Sequence, residues 1–371
     1  MILRSSTRAM KVGNVPLGGG APVSVQTMAN VDSHNASLLL SQIESCAKEG
    51  ADMIRLTIPD LDAAKVLKDV RKKSPIPLIA DIHFDYRCAL AAIEAGVDAL
   101  RLNPGNIGGV ENVRAVARAA KERKIPIRIG VNGGSLEDDI RAKHFHEGYA
   151  GASPSALVES AMRHVKLLED EKFYDIVISV KASDVERTLS SYRMLAENTN
   201  CPLHLGVTEA GTFIPGTVRS SVALGILLNE GIGDTIRVSL TDKPEREVKV
   251  GLEILRSLSL RSPGASVTSC PTCGRTKADV AKTAEAIESE LEIFYRENPS
   301  APRPHVAVMG CAVNGPGEAK GADIALCGGT GEFLLFKKGT ACGKIPQDEA
   351  VRVVVDAVKN FDLEKKEQED E

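Results

Sequence analysis

The stretch Pro77-Leu-Ile-Ala-Asp-Ile-His83 shows in seven residues the pattern that decides the fold of this chain. Asp81 and His83 alternate with Ala80 and Ile82, and successive residues of a β-strand point to opposite faces of a sheet. Seven other short runs carry similar alternation, at residues 22–28, 53–58, 99–103, 126–132, 175–181, 202–208 and 235–239. Helical stretches follow these runs. Eight strands that alternate with helices predict an α/β fold with an N-terminal (β/α)8 TIM-type barrel.

Composition and element order predict two domains in a chain of 371 residues. We predict the barrel over residues 1–256 and, after a boundary rich in Ser, Pro and Gly, a small α+β domain over residues 266–371. No stretch approaches about 18 uninterrupted apolar residues, so we expect no membrane span. The start of the chain lacks an apolar signal core, which favours a cytoplasmic protein. The net charge of −4 argues against a nucleic-acid partner.

Polar residues share one face on each of the eight predicted strands. The pairs are Ser24/Gln26, Arg55/Thr57, Asp81/His83, Arg101/Asn103, Arg128/Asn132, Ser179/Lys181, His204/Thr208 and Arg237/Ser239. A barrel interior is normally filled by branched aliphatic side chains, and barrel enzymes build their sites at the C-terminal strand ends. The same polar phase on every strand therefore predicts a binding site inside the barrel.

The charges of this polar ladder predict the chemistry of the ligand. The cations are Arg55, Arg101, Arg128, Lys181 and Arg237, and the anions are Asp81 and Glu209. An excess of three positive charges in a partly desolvated cavity calls for an anion, and guanidinium groups fit phosphate oxygens. The Gly-rich turns at residues 103–109 and 132–135 could add backbone N–H donors. We therefore expect a small phosphorylated substrate. Glu209 either transfers a proton at the reacting centre or only pairs with an arginine.

Three cysteines in the C-terminal region predict a metal centre. They lie in Cys270-Pro-Thr-Cys273-Gly-Arg275 and Gly310-Cys311-Ala-Val-Asn-Gly-Pro-Gly-Glu318. The spacing favours iron–sulfur ligation over zinc, because structural zinc sites usually carry a second closely spaced ligand pair. Zinc with His305 as a fourth ligand stays open. Glu318 is the more interesting fourth ligand for iron, since a carboxylate binds iron more weakly than a thiolate. Cys327 and Cys342 are further candidates for the fourth ligand, although their strand context favours packing.

These motifs resemble a known family of enzymes. Both cysteine segments, together with Asp52-Met-Ile-Arg-Leu-Thr57, Ala80-Asp-Ile-His-Phe84, Arg101-Leu-Asn-Pro-Gly-Asn106 and Gly206-Val-Thr-Glu-Ala-Gly211, are similar to the bacterial 4-hydroxy-3-methylbut-2-en-1-yl diphosphate synthases of the methylerythritol phosphate pathway. The similarity covers nearly the whole chain. The chain resembles the short two-domain form of that family, with no inserted domain.

The resemblance implies a complete set of functional residues. It implies a [4Fe–4S] cluster held by Cys270, Cys273 and Cys311, with Glu318 as the displaceable fourth ligand, and Glu209 near the departing hydroxyl. The substrate-binding positions would be Arg55, Arg101, Asn103, Arg128, Asn132, Lys181, Thr208, Arg237 and Ser239. The implied reaction is the reductive ring opening and dehydroxylation of 2-C-methyl-D-erythritol 2,4-cyclodiphosphate, with two electrons from flavodoxin or ferredoxin. Family members are homodimers in which the cluster domain of one subunit caps the barrel of the other.

Two alternatives remain from the residues alone. The first is a zinc-containing barrel hydrolase or aldolase that acts on a sugar phosphate. The second is an iron–sulfur redox sensor that binds RNA, although arginines that point into a barrel make a poor surface for a nucleic acid.

Overall fold

The computed structural model describes residues 3–103, 106–145, 152–262, 264–311 and 315–361, without the side chains of Ser135, Pro316 and Glu318. The chain divides into two compact units, Met1–Arg261 and Ser262–Glu371. Among the described residues, no helix combines the length and apolar character needed to cross a bilayer.

The first unit alternates strands and helices after an opening hairpin. Its strands are β1 (Met10–Val12), β2 (Val15–Leu17), β3 (Ser24–Met28), β4 (Met53–Thr57), β5 (Leu78–Ile82), β6 (Ala99–Leu102), β7 (Ile127–Asn132), β8 (Ile176–Lys181), β9 (His204–Leu205) and β10 (Thr235–Ile236). Its helices are α1 (Ala36–Lys48), α2 (Leu61–Lys73), α3 (Tyr86–Ala95), α4 (Val110–Arg123), α5 (Asp138–Lys143), α6 (Pro154–Asp170), α7 (Val185–Asn198), α8 (Phe213–Asn229) and α9 (Pro244–Ser257).

Strands β3 to β10 form one parallel sheet that closes on itself. The strand order is β8-β7-β6-β5-β4-β3-β10-β9, and a parallel bridge between Ile178 and Leu203 joins the two ends of that row. The expected eight-stranded barrel is therefore confirmed. The last two strands are much shorter than predicted, but Thr208 still donates its N–H to Ala182 O and Arg237 to Leu205 O. The segments that follow β9 and β10 therefore continue beside their neighbouring strands, although they lack the regular hydrogen-bond pattern of a β-ladder.

Hairpin β1–β2 covers the bottom of the barrel, at the N-terminal strand ends. Val12 and Val15 of the hairpin pack against three inward-facing residues, Met53, Ile79 and Ala99. These three are at most 4% exposed. The sequence patterns gave no prediction of this hairpin, because two strands of three residues are too short for a periodicity.

Short polar side chains begin the helices at the opposite rim. The carboxylates of Asp60, Asp85 and Asp184 accept hydrogen bonds from the first-turn N–H groups of α2, α3 and α7. Such caps satisfy donors that have no partner within the helix and fix where the helix starts. The βα turns at the C-terminal ends of the strands are therefore held in place around the mouth of the barrel.

The second unit is a five-stranded sheet with three helices. The elements are β11 (Val267–Ser269), α10 (Val280–Glu297), β12 (Val306–Met309), α11 (Gly315–Ala319), β13 (Ile324–Gly328), β14 (Glu332–Lys337), β15 (Thr340–Pro346) and α12 (Ala350–Lys359). Strands β11, β12 and β13 run parallel, and β14 and β15 follow antiparallel. Helices α10 and α12 pack on one face of the sheet, and α11 packs on the other.

This unit has the α+β character expected from the sequence, with two strands that the patterns missed. Strand β11 has three residues, and β15 is almost fully exposed, so neither shows apolar alternation. Cys327 lies buried in β13, as expected for a packing residue, whereas Cys342 is exposed on β15. The expectation that Cys342 packs inside the domain is therefore wrong.

Candidate active site in the barrel

The barrel interior holds a small, strongly polar cavity. Its volume is about 130 Å³. The residues that line it are Met28, Arg55, Asp81, His83, Arg101, Arg128, Gly130, Asn132, Ser179, Lys181, Thr208 and Arg237. They come from all eight strands or from the residues that directly follow them. Ten of the sixteen residues of the polar ladder line this cavity. Its position near the C-terminal strand ends is where barrel enzymes bind their substrates.

Asp81 is the central anion of this cavity. It is 1% exposed, and its two carboxylate oxygens lie 3.3 Å from Arg55 Nε and 3.1 Å from Arg101 Nη1. Burial alone would raise the pKa of Asp81, but the Arg55 and Arg101 guanidiniums outweigh it and hold that pKa below its usual value. His83 Nε2 lies 3.7 Å from the same carboxylate. Asp81 is therefore ionised and orients two arginines.

Two glycines give the cations their positions. A Cβ at Gly130 would overlap the Arg101 guanidinium, which donates to the Gly130 carbonyl oxygen at 3.2 Å. A Cβ at Gly206 would lie 3.2 Å from Lys181 Nζ and 2.7 Å from the Arg237 carbonyl oxygen. Glycine therefore interrupts the polar ladder on β7 and after β9 because a larger side chain would take the space of Arg101 or Lys181.

Arg128 and Lys181 lack a carboxylate partner among the contacts described. Arg128 Nη1 donates to Gln26 Oε1 at 2.7 Å. Burial and the nearby Arg55 and Arg101 charges hold the pKa of Arg128 well below its ordinary value. Burial, with Arg237 and Arg55, does the same for the pKa of Lys181. These depressed values mean that burial and mutual repulsion disfavour the charged forms of Arg128 and Lys181, as expected for a site built to receive an anion.

Glu247 of α9 is a functional candidate that the sequence reasoning missed. It is 4% exposed, and Oε1 lies 3.3 Å from Arg237 Nη2. The carboxylate also accepts hydrogen bonds from Thr27 Oγ1 at 3.0 Å and Leu240 N at 2.9 Å. The signal was present in the sequence, because Glu247 lies one helical turn from the apolar Gly251 and two from Leu255 on the buried side of α9.

The charge balance of the cavity remains positive after this correction. The five cations face two buried carboxylates, Asp81 and Glu247, which leaves an excess of three. Glu209 is exposed and does not belong to that buried count. The inference of an anionic ligand from the sequence therefore keeps its basis, with a different second carboxylate.

Glu209 lies on a second pocket, about 350 Å³ in volume, that adjoins the first. The two pockets share Asn132, Lys181 and Thr208. Glu209 has φ 52°, a left-handed conformation that is uncommon outside glycine. Backbone strain of this kind concentrates at functional sites. The Gly-rich turn after β7 contributes Gly133 and Gly134 to the same pocket, as the sequence suggested.

The structure brings most of the predicted substrate-binding residues together. Arg55, Arg101, Arg128, Asn132, Lys181, Thr208 and Arg237 line the cavity. Asn103 is buried at the end of β6, and Ser239 is half-buried beyond β10. Neither of these two is among the cavity-lining residues. Their roles, like those of the other residues, stay predictions.

The three predicted cluster cysteines follow the ends of neighbouring strands in the second unit. Cys270 comes directly after β11, and its N–H donates to Val308 O of β12. Cys311 follows β12 by two residues, and Lys277 N donates to Gly310 O, which ties the loop containing Cys273 to the same edge. Cys311 is buried, Cys270 half-buried and Cys273 exposed. Parallel strands end at one edge of a sheet, so the backbone gathers the three cysteines there.

The described side chains of the second unit do not form a metal-binding group. Within the described ranges, no three His, Cys, Asp or Glu side chains converge closely enough to hold an ion. The backbone of Glu318 lies in α11, but its side chain is outside the described atoms. All eight cysteines lie in the described ranges, and none is in a disulfide. Three such thiols at one sheet edge are nevertheless the donor type that an iron–sulfur cluster requires.

The fold and the cavity define a TIM-barrel protein whose interior cavity is lined mainly by cationic and polar side chains. Two family models match the chain: the GcpE TIM-barrel domain over residues 7–252 and the GcpE protein C-terminal domain over residues 266–360. The chain belongs to the GcpE family. The resemblance noted in the sequence is therefore confirmed.

Curated relatives match the chain over nearly its full length. One from Maridesulfovibrio salexigens is 51% identical over 353 residues, which is 94% of this chain and 94% of that protein. One from Clostridium acetobutylicum is 51% identical over 358 residues, 96% of this chain and 99% of that protein. One from Geobacter sulfurreducens is 48% identical over 363 residues, 98% of this chain and 100% of that protein. All three are named 4-hydroxy-3-methylbut-2-en-1-yl diphosphate synthase (flavodoxin).

Proposed function

We propose that this chain is an oxidoreductase that converts 2-C-methyl-D-erythritol 2,4-cyclodiphosphate into 4-hydroxy-3-methylbut-2-enyl diphosphate in isoprenoid biosynthesis. The observation that carries the proposal is the excess of three cations, four of the five buried and Arg237 half-buried, in a barrel whose chain also supplies three thiols at one sheet edge. The names of relatives that share about half of its residues support the same reaction. Those names lend no support to a zinc hydrolase or to an RNA-binding sensor.

The barrel cations hold the diphosphate end of the substrate. Arg55 and Arg101 are oriented by Asp81, so their remaining N–H groups are directed rather than mobile. Arg128 and Lys181 add charge where burial keeps bulk solvent away, which strengthens each contact with phosphate oxygens. Ring opening frees a phosphate oxygen, and the product diphosphate is more negative than the cyclic substrate. A site with excess positive charge therefore favours the late states of the reaction.

Cys270, Cys273 and Cys311 would hold a [4Fe–4S] cluster, with Glu318 as the fourth ligand. The donor set fits, because thiolates are the usual ligands of such clusters and a carboxylate is more easily displaced. When bound, this cofactor would relay two electrons, one at a time, from the external reductant to the substrate, in which two C–O bonds break and the hydroxyl leaves as water. The reductant named for the relatives is flavodoxin, and we propose flavodoxin, with ferredoxin as the other possible donor, for this chain.

Glu209 would supply the proton to the departing hydroxyl. Its exposed carboxylate lies on the pocket that shares Lys181 and Thr208 with the cationic cavity. An exposed carboxylate can exchange its proton with water, which a general acid needs in order to act again. Asn132 joins the two pockets and would orient the sugar-derived part of the substrate.

Helix α8 supports a homodimer. Ile214, Val218, Val222 and Ile226 are exposed and recur at intervals of four residues, so they form one apolar stripe along the helix. Contiguous apolar patches on a soluble surface usually mark an interface with another protein. A second copy of the same chain could bury this stripe against its own α8.

Anaerobic reconstitution tests the proposed function. The full chain is loaded with iron and sulfide, analysed for both elements, and supplied with the cyclodiphosphate and a chemical reductant. We expect four irons and four sulfides per chain and formation of the linear diphosphate. Colourless protein that contains zinc, or a reconstituted protein without turnover, would overturn the proposal. Glu209→Gln and Glu318→Ala should each reduce turnover, and full turnover in either variant would remove that residue from the mechanism.

A further inference from the structure

Three polar residues lie at one level deep inside the barrel, below the cationic cavity. Thr235 of β10 pairs directly with Ser24 of β3 on one side and with His204 of β9 on the other. Their strand neighbours Val25 and Ile236 face outwards, where a Cβ at Gly251 of α9 would contact both. Because alternate residues point to opposite faces, Ser24, Thr235 and His204 point into the barrel. They are at most 3% exposed.

The polar side-chain atoms of these three residues, and several of Gln26 and Arg128, have no hydrogen-bond partner among the described residues. The atoms are Ser24 Oγ, Thr235 Oγ1, His204 Nδ1 and Nε2, Gln26 Nε2, and Arg128 Nε and Nη2. Buried polar groups are almost always paired, because each unpaired group loses its hydration without compensation. Seven unpaired atoms would together offset much of the net stability of a domain. Something other than the described protein groups must therefore satisfy them.

The opposite half of the barrel floor is lined by apolar side chains. There Met53, Ile79 and Ala99 face inwards and pack against the β1–β2 hairpin. The polar half lies beside it on β3, β10 and β9, and the Arg128 guanidinium of β7 is close enough for its charge to act on the His204 ring. Water molecules inside proteins typically occupy such places, where several unsatisfied polar groups converge.

We propose that Ser24, Thr235 and His204 hold a buried water cluster that hydrogen-bonds to Arg128 from below, which makes His204 a positioning residue for that guanidinium. The second part of this inference rests on the proposed anion-binding role of the cavity. Arg128 is held on one side by Gln26 Oε1, and its Nε and Nη2 groups remain for the water below and for an anion in the cavity. The cluster would fix the plane of a guanidinium that no carboxylate orients.

Water fits this layer better than a bound anion does. The charged groups that act on His204 are Arg128 of β7, Lys181 of β8, Arg55 of β4 and Arg237 after β10. Burial and these cations hold the pKa of His204 well below its usual value, so the ring is neutral. A neutral imidazole has one N–H donor and one acceptor nitrogen. Water can satisfy both nitrogens, whereas a fully deprotonated anion can only accept.

A crystal structure of the full chain, prepared anaerobically and without ligand, tests the water cluster directly. We expect ordered water oxygens within hydrogen-bond distance of a His204 ring nitrogen and of Arg128. A barrel core with no ordered water at His204, Ser24 or Thr235 would overturn the inference. This measurement does not depend on turnover, so it decides the point even if the proposed reaction is wrong.

Variants of His204 test the positioning role, with inorganic pyrophosphate as the probe and calorimetry as the measurement. We expect His204→Leu to weaken pyrophosphate binding about tenfold, the loss of one hydrogen bond to a charged group. His204→Gln, which can still bind water, should retain binding to within about threefold. Equal binding by His204→Leu and the parent would overturn the role, as would an equal loss in both variants.

A milder change guards against misfolding of the leucine variant. Thr235→Val keeps the shape of the side chain and removes one of the polar atoms that face the cluster. We expect a two- to threefold loss of pyrophosphate affinity and the disappearance of one ordered water. Unchanged affinity with the water still in place would count against the proposal. If the parent itself failed to bind pyrophosphate, the diphosphate-binding role would fail while the crystallographic result still decided the water cluster.

Discussion

Replacement of Asp81 by asparagine removes the carboxylate on which the cationic cavity is centred. The carboxylate lies 3.3 Å from Arg55 Nε and 3.1 Å from Arg101 Nη1, and it is 1% exposed. Asparagine has nearly the same shape, so the variant changes the charge with little change in packing. Glu247, which pairs with Arg237, would then be the remaining buried carboxylate among the ion pairs described for the five cations. We expect Asp81→Asn to destabilise the barrel.

The size of the effect follows from the contacts that remain. Neutralising one partner of a buried ion pair costs about 3–5 kcal/mol. Arg101 keeps its hydrogen bond to the Gly130 carbonyl oxygen, and Arg55 Nη2 keeps its contact with Met28 Sδ. We therefore expect the lower end of the range, about 3 kcal/mol at pH 7. The depressed pKa of Asp81 implies that this contribution is present above 3.8 and is lost as the pH falls towards the folded-state pKa.

Urea unfolding of the full chain, followed by circular dichroism under anaerobic conditions, measures this change. Asp139→Asn is the matched control, because its carboxylate pairs with Arg163 at 2.7 Å while both side chains are largely exposed. The control should unfold like the parent. Saturating pyrophosphate should stabilise Asp81→Asn more than the parent, since the anion would offset one more unpaired cation. A loss below about 1 kcal/mol, or a loss equal to that of the control, would refute the central role of Asp81.

Three other perturbations have defined outcomes. Glu247→Gln should cost about 3 kcal/mol in urea unfolding, because Arg237 loses its buried counter-ion; an unchanged midpoint would contradict that pairing. Val218→Asp, in the exposed stripe of α8, should give a monomer by light scattering, and a persistent dimer would place the interface elsewhere. Burial lowers the pKa of His164 by more than the Glu137 charge raises it. As the pH falls below 6.5, the unfolded chain therefore takes up a proton on His164 before the folded chain does. Stability should therefore fall as the pH drops below 6.5, and less so for His164→Gln; equal slopes would refute this assignment.

The barrel and its polar interior could be predicted from the sequence because both depend on local periodicity. Alternation on each strand fixes which side chains point inwards, and closure of the sheet then brings those side chains together. Arg55, Asp81 and Arg101 lie on three neighbouring strands and meet for this reason. The excess of positive charge could also be predicted from the alternation. It depends on which residues face inwards and not on the distances between them.

Features that depend on tertiary contacts could not be predicted by this reasoning. Glu247 reaches Arg237 from a helix, and its role depends on how α9 packs against β3. The exposure of Glu209 follows from a backbone conformation that no residue pattern specifies. Strand β15 contains Gly343 at φ 126° and has almost no buried side, so its sequence lacks the alternation of a strand. The position of Cys270 and Cys311 at one edge of the sheet likewise depends on the pairing of β11 with β12.

The hairpin at the bottom of the barrel has a kinetic consequence. Val12 and Val15 close the floor over Met53 and its neighbours, and the polar half of the floor is also inaccessible to solvent. Within the barrel unit, a molecule bound among the arginines therefore leaves through the opening by which it entered. Under the proposed function, product must depart before the next substrate can arrive. We accordingly expect purely competitive inhibition by product, with release of the more negative diphosphate as the slow step of the cycle.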